Sequence, residues 1–153
     1  MLIARALQTW TTAAQGRFAL QRLADNRPAG DAAIRIAFRR GNGIYGETAP
    51  QVDNRTGRIA GADIVIAEPT GGDATEQRIV IYLTALHELG HALGLPHTDD
   101  FGDIMYRFQK PDDGERYFGA FRRRMRGPDD IATAGTTGLS VADVKALRSL
   151  YDR

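Results

Sequence analysis

The chain of 153 residues contains no cysteine, which excludes disulfides, thiolate metal sites and cysteine nucleophiles and leaves the redox compartment unreadable. No uninterrupted apolar run approaches the roughly 18 residues needed to cross a bilayer. The N-terminus also lacks the basic, apolar and small-residue layout of a signal peptide. No sign of charge dominates: 20 Lys and Arg against 19 Asp and Glu leave a net charge of +1, so bulk electrostatics favours neither nucleic acid nor an anionic membrane as partner. Histidine is scarce, with three in the whole chain. What is present is ordinary for a globular protein. Hydrophobic residues make up 42% and charged residues 25%, and the length suits one domain with one core.

Ile3, Ala6, Leu7, Trp10 and Ala14 recur at helical spacing, predicting an amphipathic helix over 2–14 that Gly16 ends. Residues 18–23 are compatible with a short strand. Over 33–38, Ile34, Ile36 and Phe38 alternate with Ala33, Arg35 and Ala37, the period of a half-buried strand. Segment 44–52 reads as an edge strand because it carries Gly46 and Pro50. Segment 58–67 alternates through Ala60, Ala62, Ile64 and Ile66, and the two can form a hairpin. A helix is expected over 74–93, capped by Asp73 or Thr75 and stopped by Gly94 and Pro96. Residues 107–138 hold two Pro-Asp-Asp triplets, too short to mark a repeat, around an aromatic and basic run. There Tyr117, Phe118, Phe121 and Met125 can form one face of a short helix, with Arg122, Arg123, Arg124 and Arg126 around it. The flanking Asp residues dilute this basic run, so neither nucleic acid nor a membrane is the expected partner. Ser140 opens a last helix with Asp143 at its third position and a stripe of Val141, Val144, Leu147, Leu150 and Tyr151.

All three histidines fall in one eleven-residue run, His87-Glu88-Leu89-Gly90-His91-Ala92-Leu93-Gly94-Leu95-Pro96-His97. The spacing of His87 and His91 stacks two imidazoles on one helical face. Gly94 then lets the chain fold back and present His97 to the same ion from another direction. Three neutral imidazoles suit one catalytic Zn2+ with a position left for water, whose pKa falls from 15.7 towards about 7. Glu88 leaves the helix about 100° around from His87 and is placed to act as general base, taking a proton from the attacking water and returning it to the leaving amine. A bare HExxH recurs by chance; the long form, with a further glycine and a third histidine, is a zinc-peptidase motif. A purely structural zinc site needs a fourth ligand, for which Asp99, Asp100 or Asp103 are the carboxylates on offer.

Followed by Asp103-Ile104-Met105-Tyr106, this run resembles the metzincins, zinc peptidases whose long motif precedes a methionine-containing turn beneath the metal. The resemblance implies that Met105 is an apolar floor near the ligands, an ordinary core methionine being the alternative. Within the metzincins the chain is most similar to the matrixin (matrix metalloproteinase-like) group. Met105 lies eight positions after His97 and Tyr106 follows it directly. Astacins and serralysins typically place a tyrosine where Arg107 stands, and adamalysins prefer Asp where Thr98 stands. The opening helix with Ala6, Leu7 and Trp10, the strand over 33–38, and 139–144 with Leu150 and Tyr151 also resemble matrixin segments. The implied fold is α+β: one zincin-like metzincin catalytic domain over 1–153, with a twisted mixed sheet and long active-site helix in 1–94 and a C-terminal subdomain in 95–153 carrying the Met-turn and final helix. Gly94, Met105 and Tyr106 are its structural supports of the site. Asp143 is implied to hydrogen-bond the Met105 turn, although helix capping explains it equally well.

The departures matter too. No histidine precedes His87, so the second, structural zinc of vertebrate matrixins is not expected, and their latency cysteine is missing. The family has a strand before the opening helix, so either an upstream segment was removed or the sheet is one strand short. Matrixins bind substrate as an extended strand along a sheet edge, for which 44–52 is the candidate. The specificity pocket is expected behind the metal, walled by Leu83, Leu86, His87 and the segment after Met105, where Arg107 would favour acidic side chains unless it is simply a solvated surface residue. Residues 107–138 have no clear matrixin counterpart, which leaves open a lid, a partner contact or disorder. The expected function is zinc-dependent endopeptidase activity on extended polypeptides. The alternatives are a zinc-containing binding module without turnover, or the same metal chemistry on another amide. Secretion is suggested by the family alone. Asp53, Asn54 and Asp73 lie in loops where calcium can bind, and nothing else supports such a site.

Overall fold

The computed structural model describes residues 2–41 and 43–152. Helix α1 (Leu2–Ala14) is followed by strands β1 (Ile34–Arg40), β2 (Gly46–Val52) and β3 (Ile59–Glu68), then by helices α2 (Ala74–Ala92), α3 (Asp113–Arg123) and α4 (Val141–Tyr151). The fold is α+β with a mixed three-stranded sheet in the order β1-β3-β2, as expected for a matrixin catalytic domain. β1 runs parallel to β3, with Ile36 opposite Ile64, and β2 runs antiparallel to it, with Thr48 opposite that same Ile64. β2 is therefore an edge strand, which is where Pro50 and the register shift between Gln51 and Val52 can be accommodated without breaking a central ladder.

Alternation decides which face of the sheet is covered. Ala62, Ile64 and Ile66 of β3 are all buried and face one side. They meet α2, whose Ile79, Tyr82, Leu83, Leu86 and Leu89 are also buried. α1 lies against α2 through Ala6, Ala13 and Ala14, small residues that let the two backbones come close, and through fully buried Trp10. The Trp10 indole Nε1 donates to the carbonyl of Leu86 at 2.9 Å, so the largest core side chain of α1 is also bonded to α2. The Tyr82 hydroxyl donates to the carbonyl of Thr137 at 2.6 Å and lies 3.0 Å from Oγ1 of Thr9; burial pushes its pKa up to about 12.

α2 starts where Asp73 Oδ1 accepts from the backbone N–H of Glu76 at 2.9 Å, as an N-cap should. In α4, Ser140 and Asp143 form a reciprocal capping box. Three sequence expectations need correction. Residues 18–23 form no strand; the N–H of Leu20 donates instead to the side-chain Oγ1 of Thr11, so this stretch is tied to α1 rather than to a ladder. β1 reaches Arg40, and Phe38 is exposed because β1 is the other edge of the sheet. The apolar stripe of α4 is narrower than its spacing suggests: Leu147 is buried, whereas Val141 is 88% exposed and Leu150 and Tyr151 are only partly covered.

Because Trp10 fills the α1–α2 contact with no solvent exposure, Trp10→Ala should cost about 3–5 kcal/mol of stability. Urea unfolding measures this, and a loss below about 1 kcal/mol would show that the contact can collapse around the missing ring.

Candidate metal centre

α2 supplies two of the three imidazoles, and its C-terminus supplies the reversal for the third. Gly94 adopts φ +98°, a conformation that an L side chain resists. The N–H of Gly94 bonds to the carbonyl of His91 at 3.0 Å and that of Leu95 to Gly90 at 2.9 Å, the paired bonds of a Schellman end. Beyond it, the chain is clipped to the Met105 segment: Thr98 N–H donates to the carbonyl of Met105 and Arg107 N–H to the carbonyl of Thr98, both at 2.9 Å. His97 is delivered by this clip.

The Nε2 atom of His97 lies 3.2 Å from Nε2 of His87 and 3.1 Å from Nε2 of His91. Tetrahedral zinc with Zn–N of 2.0–2.1 Å separates its nitrogens by about 3.3 Å, so the group fits one such ion. On two of the three rings the other nitrogen is committed. Nδ1 of His87 is 2.6 Å from the carbonyl of Ile104 and Nδ1 of His91 is 2.9 Å from that of Leu95. Each Nδ1 must carry the proton and donate it, which leaves an Nε2 lone pair on both rings aimed at the shared point. Converging lone pairs repel unless a cation, or a proton from His97, lies between them. Burial drives the His87 pKa down to about 4, with the two neighbouring imidazoles adding to it against the pull of the Ile104 carbonyl. His97 is lowered as well, again chiefly by burial. His87 and His97 are thus pushed towards the neutral form, the form in which an imidazole can bind a metal.

The three imidazoles form a group able to hold a metal ion. Asp99, Asp100 and Asp103 stay out of it. Asp99 accepts from Gln109 Nε2 at 3.0 Å, Asp100 from the N–H of Gly102 at 2.8 Å, and Asp103 from the Ser140 hydroxyl at 2.6 Å. Asp53 and Asp73 are likewise engaged, the first by the N–H groups of Arg55 and Thr56 and the second by Arg122 and the α2 N-terminus.

Glu88 is buried beside the centre, and desolvation raises its pKa against the lowering effect of a hydrogen bond from Thr48. Met105 is 1% exposed, and a Cβ at Gly90 would lie 2.4 Å from its sulfur. Only a glycine between the first two histidines lets the methionine come this near to α2. Asp143 Oδ2 accepts from the N–H groups of Ile104 and Ser140, both at 2.8 Å, so the turn contact and the helix cap are made by the same oxygen. Tyr106 points its hydroxyl to Asp113 Oδ2 at 2.9 Å.

A cleft of about 650 Å³ opens beside these residues, lined by Leu83, His87, Tyr106 and Arg107 as expected, but not by Leu86, which is core. Arg107 lies 3.7 Å from Asp99, which engages its charge. Sequence reasoning missed Thr48, Tyr45, Phe108 and Phe118, all of which line the cleft. The segment after Arg107 is folded: α3 buries Phe118 and Phe121, and Tyr117 donates its hydroxyl to the carbonyl of Asp103 at 2.9 Å.

A mixed sheet with a free edge, over a helix that carries two of three converging imidazoles, defines the metzincin type of metalloprotease. The matrixin family model matches residues 1–118, and the chain belongs to that family. It is 36% identical to human neutrophil collagenase over 87 residues and 34% identical to interstitial collagenase of Oryctolagus cuniculus over 86 residues. Each match covers 50% of this chain and 18% of the relative, so only a small part of either collagenase is represented. No solved structure matches the chain.

A histidine whose folded pKa lies below its unfolded value of about 6.5 takes up its proton first in the unfolded chain. Lowering the pH from 7 towards 4 should therefore destabilise the metal-free protein through His87, whose folded value is about 4. Urea titrations at pH 7 and pH 5 should show a smaller loss in His87→Gln than in the wild type. Equal losses would mean that His87 titrates as it does in the unfolded chain.

Proposed function

We propose that the chain is the catalytic domain of a zinc-dependent endopeptidase, with His87, His91 and His97 as metal ligands and Glu88 as general base. The observation that carries this reading is the convergence of three Nε2 atoms within hydrogen-bond distance while two of the partner nitrogens are bound to backbone carbonyls. A zinc ion held there would supply a Lewis acid that polarises the scissile carbonyl and acidifies water.

The chain's own residues supply the remainder. Glu88, with burial favouring its protonated form, takes the proton of the attacking water and delivers it to the leaving amine nitrogen. Among the described residues β2 pairs with β3 on one side only, so an extended peptide can add to its outer edge through main-chain hydrogen bonds, a mode that suits polypeptides of varied sequence. The cleft beside Leu83, Tyr106 and Phe118 receives a substrate side chain. The family resemblance supports a secreted location for the proposed enzyme; no helix among the described residues is long and apolar enough to cross a membrane.

With zinc loaded, the protein should cleave members of a quenched fluorescent peptide library. Glu88→Ala should keep its zinc by elemental analysis while turnover falls about 10²–10⁴-fold; equal hydrolysis by both proteins would remove Glu88 from the mechanism. Chelation should abolish cleavage and lower the melting temperature. An unchanged melting temperature would mean that no ion is held by the folded state, and full zinc occupancy without any cleavage would favour a binding module.

A further inference from the structure

Among the described residues, one side chain hydrogen-bonds the carboxylate of Glu88, and it comes from the sheet: Thr48 Oγ1 on β2 is 2.6 Å from Oε2 and 3.0 Å from the backbone carbonyl of Glu88. Of these two acceptors the carboxylate oxygen is the nearer and, when ionised, the stronger, so the hydroxyl proton is placed on Oε2 in preference to the backbone carbonyl. Two residues earlier on the same face of β2 stands Gly46. A Cβ there would lie 2.8 Å from both Cγ and Oε1 of Glu88, so this position gives the other carboxylate oxygen its room. The strand therefore grips one oxygen of the base and clears space around the second. Without that grip, a buried carboxylate with a flexible stem would gain by turning towards water.

We propose that Thr48 is the positioning residue of the general base: its hydroxyl pins Oε2, so that Oε1 is presented to the cleft and exchanges the proton with water and with the leaving amine. The inference rests on the peptidase reading above. It also gives β2 a second task, since the strand whose outer edge would pair with the peptide orients the base that acts on it. Substrate and base then share one frame of reference, and a shift of the strand would move both together.

Two measurements test this. In the zinc-loaded full chain, Thr48→Val should lower kcat about 10- to 100-fold, the range for a hydrogen bond to a charged group, with KM changed less than about twofold; Thr48→Ser, which restores the hydroxyl, should recover most of kcat. In the metal-free chain, Thr48→Val should lower the urea midpoint more when Glu88 is present than in a Glu88→Ala background, where the carboxylate contact is gone and only the backbone carbonyl of residue 88 remains to accept. Wild-type kcat in Thr48→Val, or a Thr48→Ser enzyme as slow as Thr48→Val, would overturn the positioning role. Equal midpoint shifts in the two backgrounds would overturn the contact itself. If the wild-type protein cleaves nothing with zinc loaded, the peptidase reading fails on that measurement alone and takes this inference with it.

Discussion

Nδ1–H groups on His87 and His91 donate to the carbonyls of Ile104 and Leu95, and this pair of bonds fixes the tautomer on which the centre depends. Both carbonyls are themselves held in place. Leu95 is set by the Schellman end at Gly94. The peptide unit of Ile104 is set from much further along the chain, because Asp143 Oδ2 grips its N–H while also accepting from Ser140. The start of α4 thereby reaches the first imidazole through a single turn: cap, carboxylate, Ile104, His87. Met105 packs the same turn closely against Gly90, so α2 and the turn are fitted to one another. A ligand ring locked this way loses little entropy on taking a metal, which is the physical content of preorganisation.

The three converging imidazoles were legible in the sequence because their placement is largely local: a four-residue helical spacing stacks His87 and His91, and the glycine reversal, with the clip to the Met105 segment, brings His97 to them. The same holds for the caps at Asp73 and Ser140 and for the alternation of Ala62, Ile64 and Ile66. What could not be read depends on which element lies opposite. Thr48 meets Glu88 across 40 positions of sequence, and Tyr45 meets Phe118 between a loop and a helix; no periodicity encodes either pair. Residues 18–23 have the composition of a strand, yet the Thr11 side chain takes the N–H of Leu20 and no ladder forms. Val141 shows the opposite failure, with helical spacing present but no surface to cover it.

Three carboxylates show how donors and burial compete around the site. Asp113, 1% exposed, collects the N–H groups of Gln109 and Lys110 and the Tyr106 hydroxyl on one oxygen, and these donors hold it below the usual carboxylate range. Asp143 has two backbone N–H donors on Oδ2, but its Oδ1 finds no partner among the described residues; burial wins, Asp103 adds repulsion, and the pKa rises. Glu88 has a single side-chain donor among the described residues and is also raised. The direction in each case follows the donors set against the loss of water.

The firmly charged Asp113 is also what shapes the cleft. By drawing Tyr106, Gln109 and Lys110 to one oxygen, it turns the chain sharply after the Met105 segment and starts α3 there. α3 then places Phe118 edge-on to Tyr45, with ring centroids 4.9 Å apart, and Phe108 completes the cluster at 5.9 Å from Tyr45. Tyr45 precedes β2 directly, so the wall raised by α3 touches the approach to the strand that carries Thr48. The two sides of the cleft thus meet through aromatic rings rather than facing each other across open solvent. Edge-to-face contacts of this kind favour one relative orientation of the rings, so a group entering the cleft meets a surface whose shape is set jointly by the segment after Met105 and the edge of the sheet.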